Sequence, residues 1–117
     1  MNIRSILIVE DEKEIREILQ EALEYEGYRT RAASNGLEAI DALDRDHYHP
    51  DVILLDLMMP VMDGWEFLER KKQNHSSIPV VVVSAVAEMG KKVRAHAFLR
   101  KPIELDALLE TIERCIT

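Results

Sequence analysis

The run Val52-Ile53-Leu54-Leu55 ends on Asp56. Consecutive branched aliphatics of this kind read as a strand buried on both faces, which requires a parallel sheet covered by helices. The pattern recurs. Ser5-Ile6-Leu7-Ile8-Val9 leads into Glu10-Asp11, Val80-Val81-Val82-Val83 leads into Ser84, and Ala97-Phe98-Leu99 passes through Arg100 into Lys101. In an open α/β sheet, ligands bind in the crevice beyond the carboxyl ends of the strands, so three carboxylates, a hydroxyl and an ammonium are expected to converge there.

Between the strands the spacing changes from runs to three and four. Ile15, Ile18, Leu19, Ala22 and Leu23 predict an amphipathic helix that Gly27 terminates, and Tyr28 to Ala33 reads as a second strand. Ser34-Asn35-Gly36 can cap a helix with Leu37, Ile40 and Leu43 on its apolar face. Leu57 to Gly64, broken by Pro60 and Asp63-Gly64, is a loop before a third helix through Trp65, Phe67 and Leu68. Leu105, Leu108, Leu109 and Ile112 predict a last helix. The expected fold is an α/β flavodoxin-like (βα)5 sandwich, residues 1–117 forming a single domain without an output domain. Its five-stranded parallel sheet has order 2-1-3-4-5. Strands 1 and 3 are then neighbours, and Glu10, Asp11 and Asp56 meet where the strand order reverses.

The stretch from Ser84 to Lys101 is short for a loop, a full helix and a strand, particularly if alternation at Val93, Ala95, Ala97 and Leu99 starts the last strand as early as Val93. The fourth helix is therefore expected to be shortened or missing, replaced by a turn or a mobile loop that orders on activation. Gly90 adds to that expectation.

A chain of 117 residues with 47% hydrophobic and 32% charged residues has the size and balance of one soluble domain. A formal charge of -7 disfavours direct nucleic-acid binding, and no apolar run approaches bilayer length, so membrane insertion is not expected. One cysteine, Cys115, excludes an internal disulfide, and the start of the chain lacks signal-peptide anatomy, which points to the cytoplasm.

Three close carboxylates repel one another unless a cation lies among them, and Mg2+ suits all-oxygen ligands. An aspartate can act as a nucleophile and form an acyl phosphate, with Lys101 and the Ser84 hydroxyl available to phosphoryl oxygens. Taken singly, each residue has an ordinary explanation: Glu10-Asp11 can start a helix, Asp56 can form a turn, and Lys101 can be solvated. Their joint placement at strand ends is what carries the chemistry. His47, His49, His75 and His96 lack ligand spacing and read as surface residues, while Trp65, Phe67 and the methionines Met58, Met59 and Met62 read as packing.

The ordered set Glu10-Asp11, Leu54-Leu55-Asp56, Met59-Pro60, Asp63-Gly64, Ser84-Ala85 and Lys101-Pro102 resembles a response regulator receiver domain of two-component phosphorelay signalling (CheY-like) over essentially the whole chain. The resemblance implies that Asp56 is the phosphoacceptor, and that Asp11, Asp56 and the Met58 backbone carbonyl bind Mg2+, with Glu10 contributing mainly through water. It further implies Ser84 as the switch hydroxyl, Lys101 as the phosphate-sensing lysine, Phe98 as the aromatic that moves inward, and a Lys101–Pro102 bond that is often cis. The partners implied are a histidine kinase or histidine phosphotransfer protein and a downstream effector protein. Such a module is not an enzyme beyond its own Mg-dependent phosphorylation and slow dephosphorylation. A receiver-like interaction module that no longer cycles phosphate is the alternative. Ser84 and Lys101 are expected to bear on switching more than on folding.

Overall fold

In a computed structural model that describes residues 3–59, 61–85 and 95–116, the strands are β1 (Ser5–Val9), β2 (Arg29–Ala33), β3 (Val52–Asp56), β4 (Val80–Ser84) and β5 (Ala97–Arg100). Four helices accompany them among the described residues: α1 (Lys13–Tyr25), α2 (Gly36–Asp44), α3 (Gly64–Asn74) and α4 (Leu105–Ile116). All pairings are parallel and the sheet order is β2-β1-β3-β4-β5, as the aliphatic runs predict. The expectation about the fourth helix falls on 86–94, outside the described residues. An early start of the last strand is not found, because Ala95 and His96 lie outside any strand and β5 begins at Ala97. At the entry of β4 the His96 N–H still donates to Val80 O at 2.9 Å, while its ring Nδ1 takes the Val80 N–H at 3.2 Å in place of a backbone carbonyl.

Strand alternation divides the core in two. Ile6, Ile8, Val52, Leu54, Val81 and Val83 face Leu19 and Leu23 of α1 and Leu108 and Ile112 of α4. Leu7, Val9, Ile53, Leu55, Val80 and Val82 face Ala39, Ile40 and Leu43 of α2 and Phe67 of α3. Both faces are dry, which is why β1, β3 and β4 read as unbroken aliphatic runs rather than as alternating ones.

Helix ends follow their local chemistry. Gly27, at φ 97, closes α1: its N–H donates to Glu24 O at 3.0 Å and Tyr28 N–H to Leu23 O at 3.1 Å, a Schellman pair that needs a residue without Cβ at the left-handed position. Asn35 Oδ1 accepts from Glu38 N–H at 2.9 Å, and Glu38 Oε1 accepts from Ser34 N–H at 2.8 Å, so the start of α2 is capped from both sides. The Glu38 carboxyl is held below the usual carboxylate range chiefly by those Ser34 bonds. Asp63 Oδ1 caps α3 through Glu66 N–H at 3.0 Å.

Two apolar positions depart from the expected faces. Ile18 is 65% exposed, and Leu37 is also open to solvent. At about 100° per residue, Ile18 lies about 100° around the helix from Leu19, and Leu37 is displaced about 120° from Leu43, beyond the stripe either helix presents to the sheet. Phe67 is fully buried and Trp65 half-buried against the α2/α3 core. Met59 and Met62 are buried, whereas Met58 is exposed. His75 Nε2 bonds Asp44 Oδ1 at 2.5 Å, tying α3 to α2.

Candidate phosphoacceptor site

Register places the site. Val9 pairs with Leu55, so the residues that follow, Glu10 and Asp56, leave β1 and β3 side by side. Asp56 pairs with Val83 one position before Ser84, and Ser84 pairs with Arg100 one position before Lys101. Glu10, Asp56, Ser84 and Lys101 therefore leave the sheet within about one residue of a common level, whereas Phe98 lies within β5 opposite Val82. Oxygens of Glu10, Asp11 and Asp56 lie within 4.8 Å of one another. Glu10 is 3% and Asp56 7% exposed, so the cluster is a partly dehydrated crevice and not a scatter of surface acids.

Asp56, Glu10 and Lys101 are each held. Asp56 Oδ1 accepts from Met58 N–H at 3.2 Å, which brings the Met58 peptide to the crevice while its side chain points to solvent. Lys101 Nζ donates to Glu10 Oε1 at 2.8 Å and lies 3.7 Å from Asp56 Oδ2. The second Glu10 oxygen, Oε2, accepts from Glu12 N–H at 3.1 Å. Lys101 N–H donates to Ser84 O at 2.8 Å, fixing the end of β5 against β4, and the Lys101–Pro102 bond is cis. Ser84 is fully buried and Phe98 is half-buried against the α2/α3 core.

Burial, then the Glu10 charge, push the Asp56 carboxyl up to about 7, with Lys101 and the Met58 N–H acting in the opposite direction. Burial works to lower Lys101, but its bond to Glu10 and the charge of Asp56 outweigh it, and the ammonium is raised overall. Burial first and the Glu10 charge second, only partly offset by one ammonium, leave Asp56 reluctant to ionise. Hard oxygen donors at this spacing with uncompensated charge are what a small divalent cation requires. The lysine also has a resting-state partner. It neutralises a buried Glu10, so its contribution to folding is larger than a purely switching residue would have.

Sequence reasoning missed Arg16. Its Nη1 donates to Glu10 O at 2.8 Å and Asp11 O at 3.3 Å, and its own N–H donates to Glu12 O at 2.9 Å. Both side-chain contacts are to backbone carbonyls, and no residue spacing marks them in the sequence.

Beside the crevice an apolar groove of about 290 Å³ runs between α1 and the start of α4, lined by Ile15, Ile18, Ala22, Pro102, Ile103 and Leu105, with Lys101 at its edge.

Residues 6–113 match the family model described as the response regulator receiver domain. The chain is 36% identical over 114 residues to the sporulation initiation phosphotransferase F of Bacillus subtilis, covering 93% of this chain and 90% of that protein. It is 34% identical to the regulatory protein AtoC of Escherichia coli, covering 97% of this chain but 25% of the relative. Among solved structures, the response regulator TrrA of Thermotoga maritima in complex with Mg(2+)-BeF superposes with a TM-score of 0.87 at 28% identity, covering 97% of this chain and 99% of that one. A receiver domain protein from Clostridium thermocellum gives 0.86 at 25% identity, covering 97% and 94%.

Proposed function

Since this chain belongs to the response regulator receiver domain family and is a phosphoacceptor signalling module, we propose that Asp56 is the residue that takes the phosphoryl group, in a Mg2+-dependent reaction with a phosphohistidine of a histidine kinase or phosphotransfer protein. The observation that carries this is the placement of Asp56 at the end of β3, with Glu10 and Asp11 on one side and Lys101 Nζ at 3.7 Å.

Asp56 Oδ1 is oriented by the Met58 N–H and Oδ2 is turned toward the ammonium. In the transfer, the phosphorus–nitrogen bond to the donor imidazole breaks as a bond to an Asp56 oxygen forms, and the departing imidazole nitrogen takes a proton. Positioning and charge stabilisation carry a reaction of this kind. Asp11, Asp56 and the Met58 carbonyl would hold Mg2+, with Glu10 acting through water. Bound there, Mg2+ neutralises carboxylate and phosphoryl charge. Lys101 can then leave Glu10 for a phosphoryl oxygen, and Ser84 and Phe98 follow as the switch pair, changing the surface offered to an effector protein.

The donor must bring its imidazole to the crevice rim, and the groove beside Lys101–Pro102 is the apolar surface continuous with that rim. Its exposed Ile18 and Leu105 suit the apolar face of a phosphohistidine-bearing helix. No helix among the described residues is long and apolar enough to cross a membrane, and a cytoplasmic setting fits the proposed partners. Mass spectrometry after incubation with a small acyl phosphate and Mg2+ tests the assignment. Wild type should gain one phosphoryl group on Asp56 and Asp56→Asn none. Equal uptake by the variant would refute it, and no uptake by wild type would favour the non-cycling module.

A further inference from the structure

We propose that Arg16 is a positioning residue of the phosphoacceptor site, acting through the backbone to aim Glu10 and Asp11 at the crevice and so setting its affinity for Mg2+. The inference rests on the reading of the site given above.

The Arg16 guanidinium takes the carbonyls of Glu10 and Asp11, and the Arg16 amide takes that of Glu12. One residue of α1 thus accounts for three successive carbonyls of the β1–α1 turn. Glu10 N–H still belongs to the sheet, donating to Ala33 O at 3.0 Å, but among the described residues no strand N–H meets the carbonyls beyond it. The N-cap residue Glu12 makes no side-chain cap, and the guanidinium is the side chain that takes the Glu10 and Asp11 carbonyls of the turn.

The peptide between Asp11 and Glu12 shows how the effect reaches the site. In a trans peptide the C=O and N–H point in opposite directions. Its carbonyl is drawn to Arg16, and its N–H therefore points the other way, where it donates to Glu10 Oε2 at 3.1 Å. That bond leaves Oε1 for Lys101 Nζ at 2.8 Å. A chain of contacts runs from Arg16 through one peptide to Glu10 and from there to the lysine beside Asp56. Rotation of this peptide would take the Glu12 N–H away from Glu10 Oε2 and leave that carboxylate free to turn. Outer partners that orient metal ligands are commonly worth tenfold or more in metal affinity.

The test is a Mg2+ titration of the unphosphorylated protein, followed by the backbone amide resonances of Asp11, Glu12 and Asp56, together with the melting midpoint in metal-free buffer. Arg16→Met keeps the aliphatic stem and removes the donors. It should raise the half-saturating Mg2+ concentration by about tenfold or more while the metal-free midpoint moves little, and Arg16→Lys should recover part of the affinity. Unchanged Mg2+ affinity in a folded Arg16→Met overturns the proposal. If Arg16→Met does not fold, Arg16→Lys decides: one ammonium cannot reproduce the fork, so wild-type affinity there also overturns it. Wild type without Mg2+-dependent shifts at Asp11 and Asp56 would remove the metal reading itself, and this inference with it. Failure of Arg16 alone leaves that reading standing.

Discussion

Lys101 gives its short contact to Glu10 and not to Asp56: the ammonium is 2.8 Å from Glu10 Oε1 and 3.7 Å from Asp56 Oδ2. The longer arm of a glutamate at the end of β1 reaches the lysine first. Asp56 is left with one oxygen on the Met58 amide and one only loosely paired, so the proposed reading of a phosphoryl group by Lys101 would require the lysine to change partners.

Asp56→Asn should stabilise the metal-free protein at neutral pH while abolishing phosphoryl uptake. The folded-state pKa, about 7, lies above the ordinary 3.8. The native state therefore binds more protons than the unfolded chain between about pH 4 and 7, and stability falls as pH rises through that window. With the shift discounted for residual solvation and for Lys101, the asparagine should add about 1–3 kcal/mol at pH 8 and little at pH 4. Denaturant unfolding at the two pH values checks the sign. Equal stabilisation at both would show that Asp56 is not strained by its charge.

Mg2+ should raise the melting midpoint, since binding to the native state alone adds RT ln(1 + [L]/Kd), about 1.4 kcal/mol at tenfold excess over Kd. Asp11→Ala should abolish the rise. Calorimetric scans with and without Mg2+ provide the comparison, and an equal response from both proteins would place the ion elsewhere.

Lys101→Met should lower metal-free stability by about 1–3 kcal/mol, because Glu10 would keep its buried charge with only the Glu12 amide to meet it. Added Mg2+ should narrow that deficit by supplying positive charge to the same carboxylates. The variant should also lose the spectral response to a beryllium fluoride phosphate mimic. A full response to the mimic would separate Lys101 from the switch.

Gly64→Ala should cost about 2–4 kcal/mol and disturb the site through packing. A Cβ there would sit 2.7 Å from Leu57 Cα and 2.9 Å from Asp56 O, backbone atoms that cannot swing aside. Chemical denaturation measures the loss. Wild-type stability would mean that α3 can retreat from β3 without penalty.

Ile18→Asp should leave stability within about 0.5 kcal/mol, the side chain being 65% exposed, and leave phosphorylation by a small acyl phosphate unchanged. Transfer from a phosphohistidine protein should fall at least tenfold, because the charge would have to be buried under the donor. Parallel rates with the two donors decide whether this groove seats the donor.

Legibility in the sequence divided along physical lines. Wherever one residue's identity dictates its surroundings, the sequence was sufficient: the aliphatic runs of β1, β3 and β4 are stable only between two helical layers, and that layering brings Glu10, Asp11, Asp56, Ser84 and Lys101 to one edge. The register of parallel strands then did the rest, since neighbours one step past Val9–Leu55 and Ser84–Arg100 must emerge together. What depends on side-chain reach and helix rotation was settled only by tertiary structure. Ile18 satisfies a spacing of three and four yet lies outside the buried stripe, and the choice of Glu10 over Asp56 by Lys101 turns on about an ångström of reach. Arg16 was illegible for a different reason: its partners are backbone carbonyls, which carry no residue identity and leave no pattern in a sequence.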